Sequence, residues 1–461
     1  MGNWTNAVPA SWLLLLAAGF VLAGHPAEPA PSEAATAETD TAAARDVLYR
    51  FFREPDEAAR RTLAEQFGAV APSDWSAVRR MLHETAPRDP LAPGTHEFTT
   101  PGDAAVPPVH YVLRVPDGYD PKAPAGLPLI VTCHGAGGKG ANALRRIERL
   151  LGPDVDSYLV AGPDSPQPGV YRVDRTTIAY PLHVLADVRR RANVNCDRTI
   201  LTGYSRGGYT TWGTVLFSPT HWAGAMPMAS WPLTEAGSDG AIVFLQNVLT
   251  LCIQAHWGEK DIVSGQSRGI STLSREAAAW FKGQSTAHFE GIEYPGQGHG
   301  LKLDEARIRT FSAEARRDPF PAECKYLFHH LYQGRASCVR VTDLAKEEFD
   351  FQKRRVLRIQ RREDLPNAKR ALWRGQGFEV TVRMPKGQNL IAVMARNLRE
   401  IQVDLPAERL DFAKPIRITI NHRTRFGKLV PVDWACLLET ARETYDFERL
   451  VGGRVTTATG R

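Results

Sequence analysis

Gly203-Tyr204-Ser205-Arg206-Gly207 sets a serine between two glycines where the residue pattern changes. Residues 198–203 read as a strand and those from 206 to about 217 as a helix, so Ser205 falls on a sharp strand-to-helix turn. Glycines are needed there because side chains at the flanking positions would clash with the tight backbone. The helix starting behind the serine turns its positive end toward any anion formed at that point. A serine hydroxyl is a weak nucleophile near neutral pH and needs a base within hydrogen-bond reach. Among 13 histidines, His299 is best placed: Pro295-Gly296-Gln297-Gly298-His299-Gly300 follows the strand-like run 289–294, where open α/β sheets hold their sites. His110, His134 and His256 lie in or beside β runs and read as structural, and His329 and His330 belong to the next module. The imidazole in turn needs a carboxylate to hold its tautomer. Gly258-Glu259-Lys260-Asp261 follows the apolar run 249–255, which makes Asp261 the expected orienter and Glu259 its competitor.

Acyl transfer also requires donors for a developing oxyanion. His134-Gly135-Ala136-Gly137-Gly138 closes the apolar run 127–133, and its small residues free backbone N–H groups to face a ligand. With the N–H of Arg206 it supplies a two-donor hole, Ala136 being the expected second donor and Gly135 or Gly137 the alternatives. The loop lacks the Lys-Ser/Thr ending of a P-loop and the spacing G-x-G-x-x-G, so a nucleotide cradle is excluded. The Arg206 side chain, beside the nucleophile, could bind an acidic substrate group, although packing or a salt bridge is the expected role.

Strands at 110–115, 127–133, 157–163, 198–203 and 223–229 alternate with helical runs, notably 177–193, and several are apolar throughout, as strands covered on both faces are. That alternation predicts a parallel sheet with right-handed crossovers, a three-layer α/β domain. The expected organisation is a signal peptide at 1–24, a disordered linker at 25–44, a helical cap or spacer at 45–94, the catalytic domain at 95–318 and a β-rich module at 319–461. Short β segments at 378–384, 390–395, 401–405 and 416–420 define that module, with a closing helix at 434–450. Loops at 167–174 and 231–239 are expected pocket walls.

The chain has 461 residues, 43% hydrophobic and 23% charged, which excludes collagen-like, coiled-coil and disordered classes. Its one long apolar run, 12–24, is too short to span a bilayer and sits where an export leader would. Export to the periplasm or the extracellular space is therefore expected. Six cysteines are too few for a disulfide scaffold. Cys133 and Cys252 read as buried strand residues, while Cys196, Cys324, Cys338 and Cys436 could pair after export. No cysteine pair has metal-ligand spacing, and neither metal nor cofactor is expected. The formal charge is +6 and uneven: residues 339–461 hold 25 Lys and Arg against 16 Asp and Glu. Such a basic face could meet an anionic envelope surface or polymer.

Residues of about 95 to 310 resemble the α/β-hydrolase superfamily, and within it secreted esterases and the catalytic domains of prolyl-oligopeptidase-type peptidases. The residues that carry the likeness are the stretch 111–135, GYSRGG, GEKD and PGQGHG, in the order nucleophile, acid, base. The resemblance implies an eight-stranded, mostly parallel sheet flanked by helices. Unlike the prolyl oligopeptidases, this chain has no β-propeller ahead of the catalytic run. The expected activity is hydrolysis of a small-molecule or polymer carboxylic ester through a Ser205-His299-Asp261 triad and an acyl-enzyme. The alternatives are a prolyl-oligopeptidase-type peptidase and a non-catalytic envelope protein on the same scaffold. No nucleic-acid partner is expected, and core packing is the expected fate of Trp373, Phe378 and Trp434, with sugar stacking the alternative.

Overall fold

The computed structural model describes residues 33–167, 173–262, 269–351, 353 and 355–460. The expected leader lies outside them. Among the described residues, no helix is long and apolar enough to cross a membrane.

Three helices come first: α1 (Glu33–Arg53), α2 (Glu57–Val70) and α3 (Trp75–Thr85). The second half of the stretch expected as linker is therefore helical. Alanine is the best helix former, and Ala44 is fully buried. This segment is also not a cap over the site. Phe51, Phe67 and Leu82 share a core with Leu437, Leu438 and Phe447, from the C-terminal end of the chain.

The central sheet has eight strands: β1 (Gly94–Thr99), β2 (His110–Val115), β3 (Leu127–Cys133), β4 (Leu159–Pro163), β5 (Val194–Tyr204), β6 (Gly224–Met228), β7 (Cys252–Gly258) and β8 (Phe289–Tyr294). Their spatial order is β1-β2-β4-β3-β5-β6-β7-β8. The pairs β1/β2 and β2/β4 are antiparallel and the rest parallel. Register aligns the C-terminal ends: Cys133 pairs with Gly203, Tyr204 with Met228, Met228 with His256, and Gly258 with Tyr294. Every loop leaving that edge therefore starts at one rim.

Helices α5 (Arg175–Arg191), α6 (Arg206–Phe217), α7 (Gly237–Phe244) and α8 (Ile270–Lys282) contribute to the core on one face of the sheet, while α4 (Gly140–Leu151) and α9 (Glu305–Glu314) cover the other. Strand residues alternate between the two cores, Leu129 and Val131 facing one and Ile130 the other, because successive strand side chains point to opposite faces. Helix α4 buries Ala143, Leu144, Ile147, Leu150 and Leu151, one stripe at helical spacing. This is the three-layer α/β-hydrolase sandwich.

The C-terminal part builds two further sheets around one core. Strands β9 (Glu323–Phe328), β12 (Phe378–Arg383), β13 (Leu390–Arg396), β15 (Ile416–Ile420) and β16 (Arg423–Lys428) form one of them. Strands β10 (Arg335–Ala336), β11 (Val339–Leu344), β14 (Leu398–Pro406) and β17 (Val451–Ala458) form the other. Helix α10 (Leu365–Gln376) carries Trp373 into the hydrolase core, and α11 (Trp434–Thr444) lays Trp434 against Phe67, ring centroids 5.2 Å apart. Phe378 is fully buried, so it and Trp373 are core residues, and the half-buried Trp434 also packs on Trp75. The closing helix stops at Thr444, six residues earlier than expected, where Tyr445 turns left-handed at φ 49°.

Candidate active site

Strand β5 ends at Tyr204 and α6 begins at Arg206, so Ser205 is the single residue of the turn. Its backbone is forced to φ 55° and ψ −116°, a conformation costly for any residue with a side chain. The flanking glycines leave no alternative. A Cβ on Gly203 would sit 2.3 Å from the Gly207 carbonyl oxygen, and one on Gly207 2.1 Å from that of Cys133. The N–H of Ser205 donates to Met228 O at 2.8 Å, tying the turn to β6.

Ser205 Oγ lies 2.8 Å from His299 Nε2. His299 Nδ1 lies 3.0 Å from each carboxylate oxygen of Asp261. Asp261 is fully buried, whereas the His299 side chain is 44% exposed, an arrangement with the acid inside and the imidazole at the mouth. Glu259, the competing acid, instead accepts the N–H of Gly296 at 2.6 Å and holds the histidine loop. That loop is braced on several sides. The Tyr204 hydroxyl donates to the His299 carbonyl and accepts from Leu301 N–H. Gln297 Oε1 accepts from Lys302 N–H, and the Tyr294 hydroxyl from Asp304 N–H.

The glycine-rich loop after β3 approaches the serine closely: a Cβ on Gly135 would lie 3.8 Å from Ser205 Cβ. A turn closed by Gly138 N–H to Gly135 O holds Ala136 and Gly137 at its corner. Arg206 occupies the first turn of α6, where backbone N–H groups have no partner within the helix. Sequence reasoning missed how the two are linked. His134 Nε2 accepts from Ser165 N–H at 2.9 Å, while Nδ1 faces Gly135 O at 2.7 Å. The Arg206 guanidinium donates to Ser165 Oγ at 2.8 Å and to Gln167 O. His134 is structural, as its place beside a strand suggests, and what it holds is this loop; the signal in the sequence is its position directly before the glycines. The Arg206 side chain is 4% exposed and turned into the protein, which corrects the idea that it meets an acidic substrate group. Trp231, expected on a pocket wall, is buried against Tyr209, and residues 168–172 of the other expected wall are not described.

All six cysteines are free thiols, so the pairing left open for Cys196, Cys324, Cys338 and Cys436 is not formed. Among the described residues, Cys196, Asp446 and Glu448 are the one grouping with metal-ligand atoms in reach of one another. Both Asp446 oxygens are taken by Arg317, and those of Glu448 by His83 and the Cys196 N–H. Burial also pushes the Cys196 thiol well up, so this donor set does not suit an ion.

The sheet order, the crossovers and the strained turn together define an α/β-hydrolase fold. No protein-family model and no curated protein matches the chain. Solved structures to which it is similar include a thermostable esterase at 22% identity, covering 47% of this chain and 60% of that one, TM-score 0.34. An acetyl xylan esterase from Aspergillus awamori is 13% identical, covering 48% and 99%, TM-score 0.38. A fluorophosphonate-binding serine hydrolase, FphF, of Staphylococcus aureus is 12% identical, covering 50% and 100%, TM-score 0.38.

Proposed function

We propose that the protein is a serine hydrolase that cleaves carboxylic esters through a covalent acyl-enzyme. The observation that carries this reading is the relay Ser205 Oγ to His299 Nε2 at 2.8 Å and Nδ1 to buried Asp261 at 3.0 Å. In the forward step Ser205 attacks the ester carbonyl while His299 Nε2 takes its proton. Asp261 keeps the other ring nitrogen protonated and stabilises the imidazolium. The backbone N–H groups of Ala136 and Arg206 receive the tetrahedral oxyanion, aided by the positive end of α6. His299 returns the proton to the departing alkoxide, and water then repeats the cycle to release the acid. Esters are favoured over amides because an alkoxide leaves more readily than an amine. The exposed imidazole supports a site open to substrate without a gating domain.

A fluorophosphonate probe tests the nucleophile. Wild type is expected to label near neutral pH and Ser205→Ala not to; a folded wild type that stays unlabelled sinks the enzyme reading and leaves a binding protein. Chromogenic acyl esters against aminoacyl-peptide amides then separate an esterase from a peptidase, with turnover expected on the esters.

A further inference from the structure

A cavity beside the serine turn runs under the glycine-rich loop, about 150 Å³ in volume, walled by His134, Gly135, Ala136, Asn142, Arg146 and Tyr204. A void of this size holds a benzene-sized group. Its one charged wall is Arg146, on α4. The guanidinium lies 4.0 Å from the centroid of the Tyr204 ring, the residue that precedes Ser205 and grips the His299 carbonyl. Among the described residues no carboxylate pairs with it. The only acid on α4, Glu148, faces Arg114 at 3.3 Å. Burial, with Arg149 nearby, pulls the Arg146 pKa below the usual arginine value, as it does for a cation lacking its counter-ion. A half-buried unpaired cation is costly to keep, and stacking on a tyrosine offsets only part of that. Asn142 Oδ1 already accepts from Lys139 N–H, which leaves its amide hydrogens as further donors on the same wall.

We propose that Arg146 and this cavity form a subsite for a carboxylate carried by the substrate, so that the preferred esters contain a second, ionised carboxyl group close to the scissile bond. This rests on the hydrolase reading and narrows it. The planar guanidinium pairs with carboxylate through two parallel hydrogen bonds, and the loop carrying Ala136 forms a wall of the same cavity. The carboxylate would thus anchor the ester beside the oxyanion donors. Hydrogen bonds to charged groups make a discrimination of about 10- to 100-fold the expected size.

The test uses two matched pairs of esters. Mono-(4-nitrophenyl) succinate against 4-nitrophenyl methyl succinate places the anion in the acyl part; 4-acetoxybenzoate against its methyl ester places it in the alcohol part. In wild type the anionic member of at least one pair should be favoured in kcat/KM about tenfold or more. That ratio should fall about tenfold in Arg146→Met and be partly kept in Arg146→Lys. Calorimetric binding of the same anions to Ser205→Ala, weakened by adding Arg146→Met, reads the subsite without turnover. A chain that neither labels nor turns over but binds the anions through Arg146 keeps the subsite and discards the hydrolase. An active chain whose anionic-to-neutral ratio stays within twofold between wild type and Arg146→Met discards the subsite alone.

Discussion

Ser205 is held at a positive φ, at a cost of about 1–3 kcal/mol. Its Oγ is thereby lifted above the sheet edge to within 2.8 Å of an imidazole. The two halves of the relay act as a unit, so removing either should cost nearly as much as removing both. Ser205→Ala and His299→Ala are each expected to lower ester turnover by roughly 10³-fold or more with thermal unfolding unchanged, and Asp261→Asn by about 10⁴-fold through the wrong tautomer. A loss of about tenfold or less in His299→Ala would show that another group is the base. Arg206 makes a contrasting case. Its Nη2 donates to Ser165 and Gln167 and the side chain is buried, so Arg206→Met should slacken the glycine-rich loop without sensing substrate charge. Neutral and anionic esters should lose turnover by the same factor, and a selective loss for anionic esters would return the side chain to the substrate.

Beneath the loops that carry Asp261 and His299, strands β7 and β8 are joined by a polar chain that fixes where those loops begin. Glu290 Oε2 accepts from the Gln254 amide, Gln254 Oε1 faces His256 Nε2 at 3.1 Å, and His256 Nδ1 faces the Tyr294 hydroxyl at 3.0 Å. That hydroxyl also takes the Asp304 N–H and so closes the far end of the histidine loop. With Tyr294 donating to Nδ1, His256 is neutral with its proton on Nε2. Burial pulls its pKa down to about 3, whereas in the unfolded chain it titrates near 6.5. The unfolded state therefore binds the extra proton first. This contribution is whole above pH 6.5 and is lost as pH falls toward 3, by up to about 1.4 kcal/mol per unit. Urea midpoints for His256→Gln should accordingly fall less steeply than wild type between pH 6.5 and 4; parallel slopes would refute the buried neutral histidine. Much of this layer was legible in the sequence. Runs such as Leu127–Cys133, His110–Val115 and Phe289–Tyr294 keep the expected bounds: the first is apolar throughout, as a strand covered on both faces is, and a turn with proline or glycine soon follows each. The polar chain was not legible, since partners 38 residues apart meet only through register. Strands β9, β16 and β17 also escaped notice: Glu323–Phe328 mixes charge with apolar residues, Arg423–Lys428 is almost wholly polar, and Val451–Ala458 carries two glycines. Such strands are specified by the neighbours they pair with, not by their own pattern.

At the scale of the whole molecule, the first helices, the central sheet and the C-terminal part are locked together by buried charge. Arg317, just after α9, grips both oxygens of Asp446 at 2.7 and 2.6 Å, and its Nε donates to Asp197. Arg189 of α5 stands 3.7 Å from the same carboxylate. Nearby, His83 of α3 bridges Asn193 and Glu448, so the first helices, the sheet and the C-terminal part converge on one polar knot. Burial alone would raise the Asp446 pKa, yet Arg317 and Arg189 hold it well below the usual carboxylate range. Its stabilising share is present above about pH 4, where the unfolded carboxylate ionises, and is lost as pH falls further. Removing one partner strands the other charge, which costs about 3–5 kcal/mol. Asp446→Asn should therefore unfold at markedly lower urea than wild type at pH 7 and lose much of that difference below pH 4. The same contacts argue against excising the catalytic run. Asn247 binds both the N–H and the carbonyl of Leu327 in β9, and Trp373 of α10 fills the hydrolase core. A fragment ending at residue 318 would lose these and leave Arg317 without Asp446. It should be insoluble or molten by near-ultraviolet dichroism, whereas a cooperative unfolding transition in that fragment would show that the sheet and the C-terminal part are energetically separate.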